Sequence, residues 1–155
     1  MRLLSFYKLI ILIMLSLCLI SCSAEPSFSN ETYIVNKLVK QHRIWKGTPY
    51  RLGGNTPQGV DCSGLTAAIF KNSFGIHLPR TTKLQAKTGA YVPKKYLQAG
   101  DLVFFKTGRG PFGNHVGIYV KNGHFLHASS KKGVIYSNLN SPYYKRVYWQ
   151  ARRLQ

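Results

Sequence analysis

The chain of 155 residues carries 22 lysines and arginines against 4 acids, a net charge of +18, with 45% hydrophobic residues. That length suits one compact domain with a single core, and no repeat or second low-complexity linker points to another. The cations are scattered and at most paired, as in Lys94-Lys95, Lys131-Lys132, Lys145-Arg146 and Arg152-Arg153, which speaks against nucleic acid. Attraction to anionic lipid or to an acidic polymer fits the charge, and so does mere solubility.

Residues 1–21 read as a targeting segment. Arg2 and Lys8 give the positive end, and Leu9 to Ile20 is an almost unbroken apolar run. Its length suits a signal peptide and falls short of the roughly 20 residues that span a bilayer. Leu19-Ile20-Ser21-Cys22 looks like a bacterial lipobox, in which the cysteine is acylated and becomes the mature N-terminus. An uncleaved anchor helix would share the apolar run, but the cysteine directly after Ser21 favours a lipoprotein. Ser23, rather than an aspartate, follows it and resembles an outer-membrane address. Residues 22–30 would then tether the domain, 31–155, close to its membrane, since an extended chain spans only about 3.3 Å per residue. Without Arg2 and Lys8 the mature chain keeps 20 cations against 4 acids, a charge of +16.

Three cysteines are present, at 18, 22 and 62. With Cys18 removed and Cys22 lipidated, Cys62 has no partner, which excludes a disulfide framework even in an oxidising compartment.

Beyond the tether, the pattern predicts a helix over Glu31 to Trp45. Ser29 or Asn30 can cap it, and Ile34, Leu38 and Trp45 with Val35 and Val39 make its apolar stripe. Residues 47–60 hold four glycines and two prolines and read as loop. Asp61 is a natural N-cap for a second helix, Cys62 to Phe74, with Leu65, Ala68, Ile69 and Phe70 inward and Gly75 at its stop. A third short helix is predicted from Thr81 or Thr82 to the stop at Gly89. Strands are then predicted at 101–105, 116–120, 125–128 and 147–151, with turns at 108–114 and at Asn122-Gly123. Helices followed by an antiparallel sheet make an α+β domain.

Cys62 opens a helix, where unpaired N–H groups and the helix dipole favour thiolate over thiol. His115 and His127 follow on strands. A nucleophile, a base and a group that orients the base are what cysteine catalysis requires. Buried cysteines often serve as small apolar filler, but Asp61 and Ser63-Gly64 make a poor core environment. His42, His77 and His124 have loop or helix-surface contexts and read as background. Zinc usually takes closely spaced ligand pairs, and Cys62, His115 and His127 are far apart, so neither a metal nor another cofactor is expected.

The segments 60–65 (Val-Asp-Cys-Ser-Gly-Leu), 100–105 (Gly-Asp-Leu-Val-Phe-Phe), 115–119 (His-Val-Gly-Ile-Tyr) and 125–129 (Phe-Leu-His-Ala-Ser) together resemble the NlpC family of papain-like cell-wall peptidases. Residues 50–54 and 78–82 extend the likeness over nearly all of Lys46 to Leu154. The resemblance implies a papain-like α+β fold in which Cys62 attacks a stem-peptide carbonyl of peptidoglycan, His115 is the base and His127 orients it. It also implies that Tyr50 lies near the centre and that Asp61 and Ser63 line a substrate subsite, while the Cys62 N–H can steady an oxyanion. Arg51 and Arg80 are candidate clamps for the carboxylates of stem peptides. The expected protein is a monomeric endopeptidase acting on bonds of D-amino acids or diaminopimelate at the outer membrane of a Gram-negative envelope. An amidase or acyltransferase of the same fold, or a non-catalytic wall-binding lipoprotein, would be the rival readings.

Strand parity adds a condition. A two-residue turn at Asn122-Gly123 would set His115 and His127 on opposite faces. A shared face requires a three-residue loop or a bulge, which puts Gly117, Tyr119 and Phe125 with the histidines and Val116, Ile118, Val120 and Leu126 behind.

Overall fold

The computed structural model describes residues 31–108 and 113–154. The targeting segment, Cys22, the tether and the capping residues Ser29 and Asn30 lie outside the described residues, as does most of the 108–114 turn. Helix α1, Glu31–Trp45, has the predicted bounds and buries Ile34, Leu38, Gln41 and Trp45. A two-stranded hairpin follows, β1 (Asn55–Thr56) and β2 (Gly59–Val60). Helix α2, Cys62–Phe74, also matches its predicted span, capped by Asp61 and stopped by Gly75 in the left-handed conformation.

The predicted third helix is shorter. Helix α3 covers Thr82–Gln85 only, and turns closed by Lys87 N–H to Leu84 O and Thr88 N–H to Gln85 O carry the chain onward. The remaining elements are β3 (Ala90–Val92), β4 (Leu102–Lys106), β5 (Asn114–Lys121), β6 (His124–Ser129), β7 (Gly133–Asn138), α4 (Pro142–Val147) and β8 (Tyr148–Arg153). Strands β3 to β8 form one antiparallel sheet in the order β3-β8-β4-β5-β6-β7. The hairpin β1-β2, β3, β7 and α4 had no counterpart in the sequence reading.

Both faces of this sheet are covered, which is why Leu102 to Phe105 is a continuous apolar run rather than an alternating one. On one face α1 and α2 pack Leu38, Leu65, Ile69 and Phe70 against Leu102, Phe104, Val116, Ile118 and Leu126. On the other, Val103, Phe105, Phe125 and Ala151 meet Tyr144 and Val147 of α4. Each fully buried Val, Leu, Ile or Phe side chain among them contributes roughly 1.5–3 kcal/mol of transfer free energy. The acids are spent inside the fold. Asp101, 1% exposed, holds the Arg153 guanidinium through Nε and Nη2, both at 2.8 Å, and Asp61 holds Arg80. Glu31 is the one other acid among the described residues, so the surface charge is almost wholly cationic.

The β5–β6 connection meets the parity condition through a bulge. Asn122 and Gly123 both have positive φ, 52° and 79°, as a two-residue primed turn requires. Lys121 pairs with His124, but Tyr119 then pairs with Phe125 and Ile118 with Leu126, leaving Val120 as the extra residue. His115 and His127 therefore share a face. That face is the one α4 covers, not the one beneath α2; Val116, Ile118 and Leu126, expected to lie behind, are the residues packed with Cys62. The helix meets the histidine strand at its backbone rather than face-on.

Candidate active site

Asp61 builds the first half of the site. Its Oδ1 accepts the Gly64 N–H at 2.7 Å, the capping bond of α2, and its Oδ2 accepts the Gly53 N–H at 2.8 Å. Arg80 lies across the same carboxylate, Nη1 to Oδ1 at 2.9 Å and Nη2 to Oδ2 at 2.8 Å. It also donates to Ser63 Oγ and to Gly54 O, each at 3.1 Å. Burial pushes the Asp61 carboxyl up, but the Arg80 hydrogen bonds and the Gly64 and Gly53 N–H groups outweigh it and hold the group below its ordinary value. Gln85, fully buried, donates to Ser63 O and Pro79 O and accepts from Thr66, fastening α3 to α2. Asp61, Ser63 and Arg80 thus interlock to fix the start of α2. Arg51 stays exposed, with its stem over Gly59.

Cys62 is only 7% exposed. Its Sγ lies 3.5 Å from Thr82 Oγ1 and receives the N–H groups of Val116 and Ser63. Burial is the largest influence and pushes the thiol up; Thr82 and the two N–H groups oppose it, while the Asp61 charge adds to the rise. The expectation of a resting thiolate is therefore reversed, because desolvation of a buried anion outweighs the donors at the helix start. The Cys62 N–H itself is a first-turn donor with no intrahelical partner.

The second half is a chain of hydrogen bonds. His115 Nε2 and His127 Nδ1 are 2.8 Å apart, and His127 Nε2 lies 2.9 Å from Ser137 Oγ and 3.4 Å from Tyr144 OH. Burial pulls His115 down to about 4, and burial together with the His115 charge pulls His127 down to about 2. Both rings are neutral at pH 7. If each carries its proton on Nε2, His115 donates to His127 and His127 to Ser137, and His115 Nδ1 keeps a free lone pair. Phe125 stacks on His127 with centroids 4.8 Å apart. Only glycine fits at 117, because a Cβ there would come within 2.6 Å of the Phe125 ring and 3.1 Å of His127 Cβ.

The halves meet where Val116, next to His115, touches the thiol. Among the described residues Sγ makes no hydrogen bond to either histidine, a looseness common before substrate binds. Tyr50 and both histidines border a cavity of about 350 Å³ that also takes in Asn114, Lys131 and Tyr144. Burial, then the Cys62 and Asp61 charges, push the Tyr50 phenol up, so it stays a donor. Thr82, Ser137 and Tyr144 escaped the sequence reading. Thr82 stood at a predicted helix start but carried no catalytic signal, and Ser137 and Tyr144 lie on elements that were not predicted at all.

The sequence model of the NlpC/P60 family matches residues 47–153. A probable endopeptidase of Haemophilus influenzae is 47% identical over 96% of this chain and 98% of its own length. The probable endopeptidase NlpC of Escherichia coli K12 is 45% identical over 93% of this chain and 97% of its own. The murein DD-endopeptidase MepS/murein LD-carboxypeptidase of the same organism is 46% identical over 78% of this chain and 63% of its own. Among solved structures, an NlpC/P60 protein of Bacillus cereus superposes with a TM-score of 0.69 at 36% identity, over 77% of this chain and 39% of that one. A lipoprotein-like NLP/P60 protein of Staphylococcus aureus gives 0.72 at 31%, over 85% and 44%. The expected papain-like α+β fold is thereby met. The chain belongs to the NlpC/P60 family and is a cysteine peptidase of it.

Proposed function

We propose that the protein is a peptidoglycan hydrolase that cuts stem-peptide bonds of D-amino acids through Cys62, His115 and His127. The carrying observation is the 2.8 Å contact between His115 Nε2 and His127 Nδ1, which leaves His115 Nδ1 as the ring nitrogen available to a proton from the thiol. The Cys62 S–H proton passes to that Nδ1 as sulfur attacks the peptide carbonyl. The oxyanion is met by the Cys62 N–H and the Tyr50 hydroxyl; one such donor contributes roughly 2.7–4 kcal/mol in other enzymes. His115, now cationic and hydrogen-bonded to His127, returns its proton to the departing amine. Water then hydrolyses the thioester by the same steps, and Cys62 regains its proton.

Support for the substrate comes from relatives named as a murein DD-endopeptidase and as a γ-D-glutamyl-L-lysine dipeptidyl-peptidase, the latter from Bacillus cereus at 36% identity over 79% of this chain. The test is digestion of purified cell wall by the soluble domain, with released fragments identified by mass. Peptide fragments bearing a new amine and a new carboxyl are expected. Transfer of the acyl group to an added amine would favour the acyltransferase, and release of nothing would favour a wall-binding protein.

The same proposal places residues 31–155 in the envelope as a monomeric domain, held to the outer membrane by lipid on Cys22 through the 22–30 tether. The lipobox-like 19–22 segment and the unpaired Cys62 support it. Cys22→Ala should accumulate as an unprocessed precursor that takes up no labelled fatty acid; a mature chain beginning elsewhere than Cys22 would refute the anchor.

A further inference from the structure

We infer that Lys131 receives a free carboxylate on the residue whose amine departs, so that the enzyme selects stem peptides acidic on that side of the cut. The inference rests on the peptidase reading and specifies its substrate. Arg80, the cation that the sequence offered for this task, has both Nη atoms committed to Asp61, Ser63 and Gly54. Arg51 does not border the cavity. Lys131 does, and it is the one charged side chain among the described residues that line it, with no acid beside it. Its ammonium has no ion-pair partner among the described residues. Ser129, Ser130 and Tyr143, which also line the cavity, carry hydroxyls that can donate to a carboxylate.

The position fits the leaving side. His115 returns its proton to the departing amine, and the cavity is bordered by His115 and His127 but not by Cys62, so it lies on the side of the nucleophile from which the amine departs. Lys131 follows His127 by four residues, just past the end of β6. The turn that carries it is pinned, because Ser129 Oγ accepts the N–H of Lys131 and of Lys132, each at 3.3 Å. A carboxylate there replaces water around an otherwise unpaired ammonium, and an amide in its place forfeits the charge-assisted bond.

The experiment compares two synthetic stem peptides that differ only in the departing residue, one with its carboxylate free and one with it amidated. The wild-type domain should prefer the free acid by about tenfold in kcat/KM, the lower range for a hydrogen bond to a charged group. In Lys131→Met that ratio should fall to about one, and Lys131→Arg should keep most of it. Lys40→Met, exposed on α1, should keep the wild-type ratio and so exclude an effect of overall charge. Equal cleavage of the two peptides by the wild type, or an unchanged ratio in Lys131→Met, overturns the inference alone. Cleavage of neither by the wild type overturns the peptidase reading together with it.

Discussion

Cys62→Ala should abolish hydrolysis, and Cys62→Ser should sit near the limit of detection. Losing the nucleophile of a group that acts as a unit costs at least about 10⁴-fold in kcat. Serine keeps the shape but not the acidity, and burial already pushes even the thiol up. The fold should survive, since alanine is a good helix residue and one lost sulfur costs about 1 kcal/mol. The pH profile carries a second test. Catalysis needs His115 neutral at Nδ1, and burial holds that ring down to about 4. The acid limb of kcat/KM should therefore lie near pH 4, with a plateau through neutrality. Stability should follow the same sign. Unfolded histidines take up protons below about pH 6.5, whereas the folded His115 resists down to about 4 and His127 down to about 2, so stability is full above 6.5 and is lost progressively as pH falls below it. An acid limb near 6.5, or activity in Cys62→Ala, would contradict the assignment.

How much the sequence disclosed depended on whether the signal was local. Helices α1 and α2 were legible in their spans, because the apolar stripe of each, and for α2 the Asp61 cap and the Gly75 stop, are local signals. The bulge at Val120 was legible as a condition, because parity left few ways to bring two histidines together. What covers each face was not. The sheet turned out to be enclosed on both sides, by α1 and α2 on one and α4 on the other, and nothing in β5 itself distinguishes these partners. Ser137 illustrates the same limit, since its place beside His127 follows from β6–β7 pairing rather than from any motif. Burial of Cys62 is tertiary too: the helix start is local and argues for thiolate, while the desolvation that overrides it comes from the core packed around the side chain.

Asp61→Ala should be the most destabilising single change at the site, by about 3 kcal/mol, and should lower activity without touching the reacting atoms. The Asp61 side chain is 8% exposed and serves four partners: the Gly53 and Gly64 N–H groups, Ser63 Oγ and the Arg80 guanidinium. Loss of the N-cap alone costs about 1 kcal/mol. Breaking a buried pair costs roughly 3–5 kcal/mol, but the Arg80 side chain is 42% exposed, so water rescues its charge and the pair adds less. Arg80→Ala should be milder still, since Asp61 keeps its N–H donors. The two residues share one network, so the double variant should be clearly less unstable than the two single losses added together. Conversely, Asp61→Asn should recover part of the cap, because asparagine caps nearly as well as aspartate, but not the ion pair. The pH sign also follows: the folded carboxyl is held low, so this stabilisation is present above pH 4 and is lost as the carboxyl protonates below it. Chemical denaturation of the four variants, alongside kcat/KM on one stem peptide, measures both effects. If the single losses simply add, Asp61 and Arg80 act independently, and the interlocked start of α2 is not what holds the nucleophile in place.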